Sequence, residues 1–111
     1  MNNPVEIEHD IARELANTPT LNNSHGISLD NIANYRVVPP QFGVFDDACD
    51  NTGELSLDAW IVLDECPDSN SQGYLIVYVP EEQMYGLAIK CDPNPVFIGC
   101  YGTFLDTIVA M

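Results

Sequence analysis

The residue types that could do chemistry in this chain are four cysteines, two histidines and a large excess of carboxylates. Cys49, Cys66, Cys91 and Cys100 lie 17, 25 and 9 positions apart. A redox pair or a zinc knuckle needs two thiols on one tight C-x-x-C turn; none is present. Reduced, structural thiols are the expectation, with a Cys91–Cys100 bridge as the oxidised alternative. His9 sits between Glu8 and Asp10, and His25 precedes Gly26. Neither has a second ligand at zinc spacing. An EF-hand loop needs oxygen ligands at positions 1, 3 and 5, Gly at 6 and Glu at 12. Placing Gly73 sixth supplies Asp68, Asn70 and Gln72 but ends on Val79; placing Gly53 sixth begins on Ala48 and ends on Ala59. Asp46, Asp47, Asp50 and Glu54 form a looser acidic group, read as a solvated loop. No G-x-S-x-G elbow and no glycine-rich phosphate loop occur. The spacing predicts no metal, no cofactor and no conventional enzyme.

The charge narrows the partners. The chain has 111 residues with 17 Asp and Glu against 3 Lys and Arg, a formal net charge of −14. Binding DNA or RNA requires cations that displace counterions from phosphates. Arg13, Arg36 and Lys90 are too few and too scattered for that, and an anionic membrane surface is excluded for the same reason. A basic protein is the natural complement of such a field. Solubility is the simplest role of the charge and the one any partner hypothesis must beat. The longest apolar run, Tyr74 to Pro80, falls far short of the roughly 20 residues a spanning helix needs. The acidic first residues do not look like a secretory signal. The expected location is the cytoplasm of a bacterium.

The elements that must position these residues are read from periodicity. With 46% hydrophobic residues, the chain can fill a core, and one domain over residues 1–111 is expected. Asn3-Pro4-Val5-Glu6 reads as a helix start: N-cap, proline in the first turn, then an acid. Ile7, Ile11 and Leu15 mark one apolar face, and Asn17-Thr18-Pro19 ends the helix. Ser28 should cap a short turn bearing Leu29, Ile32 and Ala33. Pro39-Pro40 should stop any regular element. Strands follow: weakly at Phe42–Phe45, then within 55–63, at Tyr74–Val79 and at Met84–Ile89. Val96–Ile98 is a candidate fourth strand and Gly99–Gly102 a turn. Thr103 and Asp106 form a capping pattern for a last helix. The predicted class is α+β: an N-terminal helix, a three- to four-stranded antiparallel meander and a C-terminal helix packed on it. Near-continuous hydrophobicity over Tyr74–Val79 predicts a central strand covered on both faces, with Tyr74, Ile76 and Tyr78 on one and Leu75, Val77 and Val79 on the other.

The segments Trp60-Ile61-Val62-Leu63, Gly73–Tyr78, Tyr85-Gly86-Leu87-Ala88 and Ile98-Gly99-Cys100-Tyr101-Gly102-Thr103-Phe104, ending in a helix, form a pattern over roughly residues 55–111. It resembles small acidic immunity-like proteins found beside bacterial toxin genes, and uncharacterised proteins carried on integron gene cassettes. The resemblance implies a mobile-element protein and carries over no catalytic residue. Together with the charge, it sets the expectation of a non-enzymatic acidic binding protein, such as an immunity- or antitoxin-like inhibitor of a basic toxin. The alternative is a cassette-encoded accessory protein that binds a small molecule or acts as a homodimer. The expected contact set is Asp46, Asp47, Asp50, Glu54, Asp64, Glu65, Asp68, Glu81 and Glu82 on strand ends and loops, with Trp60 and Tyr78 as aromatic anchors.

Overall fold

The computed structural model describes residues 3–21, 23–47, 56–91 and 94–111. Cys49, Asp50 and Glu54 therefore lie outside the described residues.

Helix α1 spans Pro4–Ala16 and starts as its sequence requires. The Asn3 side chain accepts the Glu6 backbone N–H at 2.9 Å, and Pro4 occupies the first turn, where a missing N–H is harmless. Ile7 and Ile11 are its buried residues. The next turn differs from expectation. It is a 3-10 turn at Ile32–Asn34, and Asn31 rather than Ser28 supplies the side chain: its Oδ1 accepts the Ser28 N–H at 2.8 Å.

Five strands follow: β1 Arg36–Asp47, β2 Ser56–Asp64, β3 Tyr74–Val79, β4 Met84–Ile89 and β5 Val96–Gly102. Helix α2, Phe104–Ala110, ends the chain and carries the expected capping box of Thr103 and Asp106. The α+β class stands, with more strands than the three or four expected. The sheet runs β1-β2-β3-β4-β5 and closes into a barrel. A five-strand meander leaves its first and last strands pointing the same way. The closing contact is accordingly parallel, pairing Asp46 with Val96 and Asp47 with Phe97.

Two further expectations fail, both at residues normally read as breakers. Pro39-Pro40 does not stop β1, which passes through it. Pairing with β2 jumps there from Arg36↔Leu63 to Gln41↔Ile61. The prolines sit in the bulged stretch, where no ladder bond needs their missing N–H. Gly99–Gly102 is not a turn but the second half of β5. Its Gly99 lies against Gly86 of β4, where an added Cβ would come within 2.4 Å of the Gly99 carbonyl oxygen. Glycine is needed at 86 for the two backbones to approach.

Two apolar clusters explain the run in β3. Leu75, Val77 and Val79 join Phe45, Ala59, Ala88 and Phe97, so each strand contributes to the barrel interior. Ile76 and Tyr78 point the other way, into a larger cluster with Ile7 and Ile11 of α1 and Phe104 and Ile108 of α2. Tyr74 packs against the same cluster. The alternation expected from the sequence is the one observed. A bulge after Ile61, which moves the pairing to Leu63↔Ile76, accompanies Val62 and Leu63 both packing under the helices. Arg36 ties the layers together: it pairs with Glu8 of α1, donates to the Val62 carbonyl and lies over the Phe104 ring. Cys66, Cys91 and Cys100 are free thiols. Among the described residues, no helix is long and apolar enough to cross a membrane.

Candidate binding site

The three cations come first, because they set the field every other group feels. Arg13 pairs with Asp10, Arg36 with Glu8, and Lys90 with Asp64 at 2.6 Å. Lys90 also donates to the carbonyls of Cys66 at 2.8 Å and Ser69 at 2.5 Å, fastening the β2–β3 loop. Every basic residue of the chain is thus engaged by the chain's own acceptors. Three Lys and Arg stand against 17 carboxylates.

The expected contact residues separate into two groups. Strand register places Asp64 opposite Leu75, whereas the turn holding Glu81 and Glu82 follows Val79 at the other end of β3. At the first end, Asp64 is held by Lys90, and Glu65 pairs with His25 while accepting the Tyr74 N–H at 3.0 Å. The edge of His25 meets the Tyr74 ring, with centroids 5.5 Å apart. Glu65 and Asp68 line a hollow with Tyr35, Cys66 and Gln72. The Cys66 sulfur lies against Gly73, where a Cβ would sit 2.8 Å from it. His25 and Cys66 therefore have structural neighbours of their own. Asp64 and Glu65 likewise serve internal contacts before any external one.

At the other end, Trp60 and Glu81 share Phe42 as a neighbour. Trp60 meets Phe42 edge-on with centroids 4.8 Å apart. Phe42 lines a second hollow with Asp58, Pro80 and Glu81. Phe42 is 54% exposed and Val44 52%, so this is an apolar face rimmed by acids. Asp46 and Asp47 end β1 beside β5. Tyr78 is a correction: it is 1% exposed and its ring is packed under the helices, so the ring cannot serve as an aromatic anchor on the surface. It belongs to the face that packs, because α1 and α2 cover that side of β3.

A third hollow, of about 490 Å³, was not anticipated. It opens between α1, the start of β4 and the start of α2, lined by Asp10, Arg13, Glu14, Tyr78, Gln83, Met84, Tyr85, Gly102, Thr103 and Asp106. Asp10 accepts the Tyr85 hydroxyl at 2.8 Å on Oδ2 and the Arg13 guanidinium on Oδ1. Glu14 reaches across to α2 and accepts the backbone N–H groups of Phe104 at 3.4 Å and Leu105 at 3.1 Å. A carboxylate there satisfies free donors and suits the helix dipole. Burial nevertheless raises the Glu14 pKa above the ordinary carboxylate range, outweighing those bonds, and Asp10 adds to the rise. The Tyr85 hydroxyl is raised strongly, first by burial and then by Asp10. Tyr78 is raised by burial, then by Asp10 and Glu6. Asp10 and Glu14 stand one helical turn apart on α1, and that spacing is the one signal of their pairing that the sequence carries.

Among the described residues, no three of His, Cys, Asp and Glu converge closely enough to hold a metal ion. Compared with protein-family models, with curated proteins and with solved structures, the chain matches none, so its function rests on its own residues.

Proposed function

We propose that this chain is a non-enzymatic acidic binding protein whose partner is basic, acting as an immunity- or antitoxin-like inhibitor carried by a mobile element in the bacterial cytoplasm. The observation that carries the reading is the internal pairing of Arg13, Arg36 and Lys90. With its cations engaged, a chain of net charge −14 meets its surroundings as a polyanion. Such a field accelerates encounter with a cationic protein and repels nucleic acid. The Phe42–Trp60 face, with Asp58 and Glu81 beside it, supplies an aromatic anchor within an acidic rim, the arrangement in which interface energy concentrates.

The test is a pull-down of the products of the genes beside its own, followed by growth of cells carrying or lacking the chain. A basic partner is captured, and deletion of the chain removes protection against it. Failure of both arms would leave the charge as a solubility device. The exposed Phe42 and Val44 also favour a second reading, a homodimer through this face. Light scattering separates the two: a monomer at micromolar concentration removes the dimer.

A further inference from the structure

We propose that the hollow between α1, β4 and α2 is a receptor for a single arginine or lysine side chain, presented by the basic partner. The inference rests on the function proposed above and names the chemistry of one contact within it.

Four observations converge. First, the acceptors are spread around the hollow rather than gathered. Asp10, Glu14 and Asp106 line it, yet among the described residues no set of three converges as a metal site would require. Dispersed oxygens suit an organic cation with several N–H donors. Second, Tyr78 is 1% exposed, yet its hydroxyl has no hydrogen-bond partner among the described residues. Every wholly enclosed side-chain nitrogen or oxygen among the described residues has a partner. The Tyr78 oxygen is therefore the tip that emerges into the hollow, where it offers a lone pair to a donor. Third, the chain's own Arg13 shows what the acids accept. Its guanidinium rests on Asp10 with a side chain 69% exposed. Arg13 is held loosely from the solvent side, so an incoming cation displaces or joins it at the Asp10 carboxylate, whose side chain is 13% exposed. Fourth, half-buried Met84 provides an apolar wall for a methylene stem.

The position fits a contiguous interface. The β3–β4 turn contributes Pro80 and Glu81 to the Phe42 hollow, and Gln83 with the following Met84 to this one. A partner lying on the Phe42–Trp60 face and crossing that turn would reach the second hollow with one long side chain.

The experiment is an NMR titration of the whole chain with N-acetyl-arginine amide, and with N-acetyl-citrulline amide as its neutral isostere. The arginine probe is expected to shift the amide resonances of Gln83, Tyr85, Thr103 and Asp106 saturably, and the citrulline probe to leave them in place. Tyr78→Phe, which keeps the ring and its packing, should weaken the arginine probe by about tenfold, as should Asp10→Asn. Asp30→Asn, an equal charge change at an exposed position outside both hollows, should not. Equal shifts with citrulline, undiminished binding to Tyr78→Phe, or an equal loss in Asp30→Asn would each overturn the site. Should Asp10→Asn unfold, Tyr78→Phe still decides. A basic partner that binds Tyr78→Phe as tightly as wild type sinks the receptor and leaves the proposed function standing. Specific binding of the arginine probe, with no basic partner among the neighbouring products, does the reverse.

Discussion

At the scale of single residues, the most consequential contact is the one between Asp10 and Tyr85, 75 positions apart. The Tyr85 hydroxyl donates to the carboxylate at 2.8 Å. Burial and that anion hold its proton far more tightly than in the unfolded chain. A group whose folded pKa is raised contributes stability that is complete below its unfolded value and is lost as pH rises above it. For tyrosine that loss begins near about pH 10. Tyr85→Phe removes both the hydrogen bond and the ionisation. At neutral pH the variant should be less stable by about 1.5–3 kcal/mol, the worth of a bond to a charged acceptor. Above about pH 10 the gap should narrow, because only the wild type still has a phenol to ionise. Urea melts at both pH values check this, and a gap independent of pH would refute it. None of this was readable along the chain. Asp10 and Glu14 follow the pattern of outward helix acids, and only the fold shows that β4 and α2 rise to meet them.

At the scale of elements, legibility followed how many signals agreed. β3 was plain because both its faces are apolar and both are buried, one against the barrel interior and one under the helices. Both helices announced themselves through caps, since Asn3 and Thr103 bind the N–H groups three residues on. β1 and β5 were obscured because proline and glycine break most strands, and only pairing partners reveal a bulge or a close approach. Gly86 makes the point testable. An added Cβ would lie 2.4 Å from the Gly99 oxygen and 2.9 Å from the Phe97 ring. Backbone cannot yield as a side-chain tip can, so Gly86→Ala should cost about 2–4 kcal/mol by forcing β4 and β5 apart. Gly99→Ala, where nothing lies within 4 Å, is the matched control and should change stability by about 1 kcal/mol or less. Equal losses at both positions, measured by thermal unfolding, would mean that glycine's backbone freedom matters here and the close approach does not.

At the scale of the whole molecule, 17 carboxylates share one small body with three cations, and all three cations are engaged internally. The class and the polarity of the field were legible from composition. The candidate site was only half so: Trp60 and Glu81 share Phe42 as a neighbour, while Tyr78 sits inside the core. The field has a consequence for the free protein. Carboxylates brought together by folding repel one another more than in the expanded chain. Salt shortens the reach of that repulsion, from about 30 Å at 0.01 M to about 8 Å at 0.15 M. It also weakens the ion pairs, but Arg36 and Lys90 are largely shielded from solvent, with side chains 11% exposed, and the exposed Arg13 pair contributes little to begin with. Repulsion among many acids therefore outweighs attraction in few pairs, and Tm should rise over that salt range. A gain of about 1 kcal/mol would appear as about 4 °C for a domain of this size. The same screening should slow association with a basic partner. Stability and binding should thus move in opposite directions with salt. A Tm that is flat or falls would show that the acids are spaced widely enough to be harmless, and would withdraw the field on which recognition of a basic partner depends.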